Sequence, residues 1–185
     1  MSMGFNELNS VEYFVIHRLT GVNLNEVKSG TAIEQPVALY DSDQWRYVPS
    51  ELLQRDITEV LLEKELKESL YRLNPDIERN PDHADEVIHK LRAILITVAN
   101  VGQVRANEEF ATWLRNEHSL PFGPKSEHVK ILLIDYSDLK NNTYIITNQF
   151  KIHARETKIP DVVMYINGIP VVVGELKTPV RPAVS

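Results

Sequence analysis

The first half of the chain repeats apolar residues at the spacing of a helix. In the segment NELNSVEYFVIHRLTGV, apolar side chains recur at three- and four-residue intervals up to Gly21, which can end a helix. A second helix is predicted from Ser50 to the Asn74-Pro75 break, a third over residues 80–100 and a fourth over residues 106–116. Residues 50–117 are therefore predicted to form a helical region.

The pattern changes after residue 128, where short apolar runs typical of strands begin. We predict strands in VKILLIDY, TYIITNQFKIHA, DVVMYI and IPVVVGEL. The last two runs are separated by Asn167-Gly168, a strong signal for a tight hairpin turn. The chain is thus predicted to have an α/β fold in which helices come first and a sheet over residues 128–178 follows.

Composition and charge exclude several classes of protein. Hydrophobic residues make up 43% and charged residues 25% of the chain, as in soluble globular proteins. There is no cysteine, which excludes disulfides and thiolate metal sites. No apolar run approaches the roughly 18 residues of a membrane span, and no secretory signal is present, so we expect no membrane association and a cytoplasmic protein. The net charge of −6 argues against a protein that coats nucleic acid.

The tripeptide Glu-Leu-Lys occurs twice, as Glu65-Leu66-Lys67 and as residues 175–177. The first copy lies in a predicted helix, where residues two apart point away from each other. The second copy ends a predicted strand, where Glu175 and Lys177 share a face, and Asp161 opens the neighbouring strand. Two carboxylates and a lysine suit phosphodiester hydrolysis with Mg²⁺. The alternative is a plain salt bridge between Lys177 and either carboxylate.

The predicted hairpin raises a conflict of register. A regular two-residue turn at Asn167-Gly168 would place Asp161 opposite Gly174, so that the carboxylates of Asp161 and Glu175 would point to opposite faces of the sheet. A shared metal ion forbids that arrangement. We therefore predict one extra residue between Asn167 and Gly174, or a sharp bend at Asp161.

These residues carry a family resemblance. Pro160-Asp161 followed by Glu175-x-Lys177 is similar to the PD-(D/E)xK nuclease signature. The stretches LLIDYSDLKNNTYIITNQFKI and IPDVVMYINGIPVVVGELKTP resemble the endonuclease domain of the R (HsdR) subunit of type I restriction enzymes, and EVLLEKELKESLYRLNPDI and NEEFATWL resemble its N-terminal region. The resemblance implies a restriction-endonuclease-like core, a mixed central sheet flanked by helices, with extra N-terminal helices.

The resemblance also implies roles for single residues. Asp161, Glu175 and Lys177 would be catalytic, and the metal would be held by the two carboxylates and by the backbone carbonyl of Leu176. A further acidic residue on the first helix would be Glu7, with Glu12 as the second candidate. Asn148 and Gln149 also match the family, and we expect them to form structural hydrogen bonds.

The implied activity is Mg²⁺-dependent cleavage of double-stranded DNA beside methylase (M) and specificity (S) subunits. Neither the family's later Gln-x-x-x-Tyr motif nor the phosphate-binding loop of its ATP-dependent translocase occurs in the 185 residues. We therefore expect residues 1–185 to be a single, truncated endonuclease domain, with ATP used only by the missing translocase. The alternatives are a related nuclease of DNA repair or of a mobile element, and a non-catalytic assembly module.

Candidate DNA contacts lie in the C-terminal part of the chain, where the charge balance turns positive. Residues 150–185 contain five basic and three acidic residues, whereas the whole chain contains 20 and 26. His153 and Arg155 lie two apart on a predicted strand and could contact phosphate groups, although exposed strand charges explain them as well. The candidate set is Lys151, His153, Arg155, Lys158 and Arg181.

Overall fold

A computed structural model describes residues 11–26, 45–154 and 156–177. Its helices and strands, in chain order, are α1 (Tyr13–Thr20), β1 (Trp45–Tyr47), α2 (Glu63–Leu73), α3 (Pro75–Arg79), α4 (Asp82–Val101), α5 (Gln103–Leu114), β2 (Ser119–Leu120), β3 (Val129–Lys130), β4 (Tyr144–Asn148), β5 (Ile152–His153), β6 (Thr157–Lys158), β7 (Val162–Ile166) and β8 (Ile169–Gly174). No helix in the described ranges is both long enough and apolar enough to span a bilayer.

The chain divides into two compact units. Leu61–Thr143 form a helical unit, and the residues before and after that insertion form a sheet unit. The two units are distinguished by their internal contacts. That residues 1–185 form a single domain stays a prediction.

Among the residues that the structure describes, the sheet unit contains a mixed four-stranded sheet in the order β1-β4-β7-β8. β1 runs parallel to β4, whereas β4–β7 and β7–β8 are antiparallel. α1 contributes Ile16 to a core shared with Tyr47, Ile146 and Val162. The helix ends where predicted, because Gly21 takes the left-handed conformation (φ 74°) and its N–H bonds the His17 carbonyl. The predicted α/β class with a mixed sheet is confirmed.

The helical unit is built on the apolar faces of α2, α3 and α4. Leu66, Leu70, Ile77, Val87 and Leu91 are buried almost completely. The predicted second helix is wrong over residues 53–62, since α2 begins only at Glu63. Asp56 accepts hydrogen bonds from the backbone N–H and the hydroxyl of Thr58, and this local turn competes with a helix.

The strand predicted over residues 129–136 is also mostly wrong. Only Val129 and Lys130 pair, with β2. Beyond them, two side-chain amides replace a neighbouring strand. Asn74 bonds both backbone groups of Leu132, and Asn116 accepts from Leu133 N–H and donates to the Ile134 carbonyl. The segment is apolar because it is buried, but its backbone polar groups are satisfied without a sheet ladder.

Candidate active site

The hairpin that joins β7 to β8 contains one extra residue. The turn is the two-residue Asn167-Gly168 type, with both residues at positive φ (52° and 78°). Ile166 pairs with Ile169 and Tyr165 with Pro170, but Met164 pairs with Val172, so Val171 is the unpaired insertion. The predicted offset between Asn167 and Gly174 is thus confirmed, and Val171 is the residue that causes it.

The offset brings the two candidate carboxylates to the same face. Val162 pairs with Gly174, and continuing that register places Asp161 opposite Glu175. Directly opposite residues of an antiparallel pair have their side chains on one side of the sheet. The register problem seen in the sequence is therefore resolved by a β-bulge.

Asp161 is half-buried and is held on both sides. Its carboxylate Oδ2 accepts a hydrogen bond from the backbone N–H of Leu176 at 2.7 Å. Its backbone carbonyl accepts from the N–H of Gln149 at 3.0 Å. These two contacts connect the start of β7 to the residues that follow β8 and β4.

Glu175 and Lys177 extend into solvent while Leu176 between them points inward. Leu176 packs on the core formed by Ile16, Tyr47 and Val162. The Lys177 Nζ lies 3.8 Å from Glu175 Oε2, and the two side chains are 71% and 74% exposed. The predicted shared face of Glu175 and Lys177 is consistent with this ion pair, which a catalytic site and a surface salt bridge would both show.

Glu12 places a third carboxylate near Asp161. It precedes α1 and is 2% exposed. Its Oε1 accepts from Asn148 Nδ2 at 2.6 Å and its Oε2 from Gln149 Nε2 at 3.0 Å. Burial raises the pKa of Glu12, and the negative charge of Asp161 raises it further, whereas the two donated hydrogen bonds lower it.

Of the two helix candidates, Glu7 lies outside the described residues and Glu12 lies beside Asp161. A sequence signal for Glu12 existed. It lies four residues before the buried Ile16, so it occupies the apolar face of the first helical segment, where a solvated carboxylate is not expected. The helical spacing alone did not reveal which strand residues would meet it.

The donor set fits a hard divalent cation in its chemistry. Carboxylate and carbonyl oxygens are the ligands that Mg²⁺ prefers, and Asp161, Glu175, Glu12 and the Leu176 carbonyl supply them. Within the described ranges, however, no three Asp, Glu, His or Cys side chains converge closely enough to hold a metal ion. A cation would have to draw the exposed Glu175 side chain away from Lys177 and toward Asp161.

The candidate DNA contacts that the structure describes lie around a small hairpin of β5 and β6. Lys151, His153 and Lys158 are all exposed. Lys158 pairs with Glu156 at 2.6 Å, and His153 Nδ1 lies 3.0 Å from Thr157 Oγ1. Arg155 and Arg181 lie outside the described residues. The role of the set in DNA binding stays a prediction, as do the catalytic roles of Asp161, Glu175 and Lys177.

Residues 37–185 match the family described as type I restriction enzyme R protein N terminus (HSDR_N). The chain belongs to this family. The match confirms the predicted resemblance to the R subunit, and it includes the bulged hairpin and all three residues of the Asp161, Glu175 and Lys177 set.

Two similar proteins are named as endonuclease subunits of type I restriction enzymes. The chain is 30% identical over 131 residues to the type I restriction enzyme HindI endonuclease subunit of Haemophilus influenzae, covering 68% of this chain and 12% of that protein. It is 27% identical over 106 residues to the putative MjaIXP endonuclease subunit of Methanocaldococcus jannaschii, covering 54% and 10%. The chain thus spans only about a tenth of these relatives. No solved structure gives a significant match.

Proposed function

We propose that the chain is the nuclease part of a type I restriction enzyme, which cleaves phosphodiester bonds of double-stranded DNA with Mg²⁺. One observation carries the proposal. The extra residue Val171 shifts the register so that Val162 pairs with Gly174. Continued by one residue, this register puts Asp161 opposite Glu175, whereas a regular hairpin would have turned the two carboxylates to opposite faces. Bulges are over-represented next to active sites, where they redirect a side chain.

In this proposal, Asp161, Glu175, Glu12 and the Leu176 carbonyl hold the cation. A divalent cation at that position supplies positive charge that polarises a phosphoryl oxygen and lowers the pKa of water. Lys177 neutralises negative charge that develops on the phosphate during attack and positions the attacking water. Its exposed ammonium group, next to Glu175, can reach a phosphate that approaches from solvent.

The proposed DNA path runs along the β5–β6 hairpin. Lys151, His153 and Lys158 would contact phosphate groups, which positions a duplex without reading its sequence. The names of the relatives refer to endonuclease subunits of type I restriction enzymes. We therefore propose M and S subunits as partners, an ATP-dependent translocase in the longer subunit, and a cytoplasmic location.

A non-catalytic assembly module is the second candidate. It is favoured by the separation of the carboxylates among the described residues and by the exposed ion pair of Lys177 with Glu175. Exposed ion pairs of this kind contribute about 0–1 kcal/mol to stability and require no function.

The experiment is DNA cleavage by an assembled restriction complex that carries this chain. We expect Lys177→Ala to slow cleavage about 100- to 1,000-fold, because one group that stabilises transition-state charge is lost. Lys67→Ala is the matched control, since it removes the lysine of the other Glu-Leu-Lys copy. Wild-type rates in the Lys177→Ala complex, with assembly intact, would establish the assembly module instead.

A further inference from the structure

Two consecutive residues at the end of β4 bind the same buried carboxylate. Asn148 donates to Oε1 of Glu12 and Gln149 donates to Oε2, so both carboxylate oxygens have a fixed partner. Successive residues of a regular strand point to opposite faces of the sheet. Gln149 does not follow this alternation because its backbone takes a left-handed conformation, with φ 48°. The backbone turn therefore directs two neighbouring amides to one side.

The backbone around Gln149 is itself held in place. Its N–H donates to the carbonyl of Asp161 at 3.0 Å, and its carbonyl accepts from Ser50 Oγ at 3.3 Å. A positive φ at a residue other than glycine costs free energy and persists only where the surroundings enforce it. Gln149 thus couples the position of Glu12 directly to that of Asp161.

Tyr47 orients the other amide. Its hydroxyl donates to Asn148 Oδ1 at 2.6 Å, which leaves Nδ2 of the same amide to face Glu12. Tyr47 is buried at the end of β1, and burial raises the pKa of its phenol well above the ordinary value. The phenol consequently keeps its proton and remains a donor.

The amides of Asn148 and Gln149, together called the clamp, bind the Glu12 carboxylate without neutralising its charge. An arginine or lysine would bind the Glu12 carboxylate and neutralise it, but amide donors are neutral. Glu12 lies near a second carboxylate, Asp161, whose charge acts on it. Two carboxylates held near each other in a partly buried place repel, and a cation between them would relieve that repulsion.

We propose that Asn148 and Gln149 are positioning residues whose amides hold the Glu12 carboxylate in the orientation that receives a divalent cation beside Asp161, with Tyr47 fixing the Asn148 amide. The inference rests on the proposed metal-dependent function and specifies how the metal-binding carboxylate is held. Groups that orient metal ligands in this way typically change metal affinity about 10- to 100-fold when removed.

The test is Mn²⁺ binding to the 185-residue chain, measured by calorimetry. Asn148→Leu and Gln149→Leu remove one donor each at similar volume and are expected to weaken binding about 10- to 100-fold. Tyr47→Phe removes only a hydroxyl from a core position and is expected to weaken binding less. Melting curves in EDTA report whether each variant folds. If a leucine variant does not fold, Tyr47→Phe still tests the proposal.

The matched control is Asn141→Leu. Asn141 also donates its amide to a carboxylate, Asp135 Oδ2 at 2.8 Å, but in the helical unit. Its loss should leave Mn²⁺ affinity unchanged. A double-mutant cycle then separates positioning from general packing, because Asn148→Leu should have no further effect on Mn²⁺ affinity in a Glu12→Ala background.

The outcomes separate the two proposals. If the wild-type chain binds Mn²⁺ and Asp161→Asn abolishes binding, but folded Asn148→Leu and Gln149→Leu bind like wild type, the clamp is wrong and the metal site stands. The clamp is also overturned if Asn148→Leu lowers Mn²⁺ affinity equally in the wild-type and Glu12→Ala backgrounds. If the wild-type chain binds no Mn²⁺, the metal site and the clamp both fail.

Discussion

The two Glu-Leu-Lys copies place the same three residues in different physical settings. In α2, Leu66 is fully buried in the helical unit, and Lys67 forms exposed ion pairs with Asp85 and Glu63. After β8, Leu176 packs on the sheet core, while Glu175 and Lys177 extend from the same side of the chain and pair with each other. In both copies the leucine anchors the segment to a core, so burial of the leucine does not distinguish them.

The difference lies in what the chain places beside each copy. The carboxylates near Lys67 come from solvated helix surfaces and satisfy its charge there. Beside the second copy, the Leu176 N–H donates to the carboxylate of Asp161, and the buried Glu12 in turn lies near Asp161. The chemistry open to such a short motif therefore depends on strand spacing, register and neighbours, and not on its own residues alone.

Removing the bulge should have the largest effect on the second Glu-Leu-Lys copy. Deletion of Val171 would restore a regular hairpin and turn Glu175 away from Asp161, making the second copy as isolated as the first. We expect Mn²⁺ affinity of the chain to fall more than about 100-fold, beyond the loss from a single orienting group. Val171→Ala preserves the residue count and should bind like wild type. Unchanged affinity in the deletion variant would show that the bulge does not align the site.

Truncating the two leucines should show that the first copy matters more for stability. Leu66→Ala removes a fully buried side chain and should lower the free energy of unfolding by about 2–5 kcal/mol. Leu176→Ala removes a partly exposed one and should cost about 1 kcal/mol. Urea unfolding in EDTA measures both. Equal losses would mean that Leu176 contributes as much as Leu66 to the free energy of unfolding.

The smallest expected effect is a change in pH dependence. Since the pKa of Glu12 is raised on folding, the folded chain binds more protons than the unfolded chain between the ordinary and the raised values. Stability should therefore fall as pH rises through that window and stay level above it. Glu12→Gln should remove this component, as measured by metal-free unfolding at a series of pH values. An identical pH profile in the variant would contradict the raised pKa of Glu12.

Much of the site could be predicted because its signals are local. The Asn167-Gly168 turn, the alternation of the strands and the two-residue spacing of Glu175 and Lys177 follow from backbone geometry. Even the offset followed from requiring two carboxylates on one face. The position of the extra residue within the interval from Asn167 to Gly174 did not follow, because only pairing along the whole of β7 and β8 identifies it.

Other predictions failed where local and distant contacts compete. The apolar segment after Val129 has the composition of a strand, but Asn74 and Asn116 satisfy its backbone from elsewhere in the helical unit. The segment after Ser50 has helical residues, but the Asp56 side chain stabilises a turn first. Periodicity reports burial reliably, and it does not report which partner satisfies the backbone.

By itself, the sequence determined most of the helices, the hairpin turn and the position of the second Glu-Leu-Lys copy at the end of a strand, since these depend on residues close together in the chain. Only the tertiary structure decided that Val171 is the inserted residue and that Glu12 lies buried beside Asp161. It also decided that Asn148, Gln149 and Tyr47 hold that carboxylate. These contacts join residues up to 137 positions apart, and only packing of the sheet and α1 brings such distant groups within hydrogen-bonding distance.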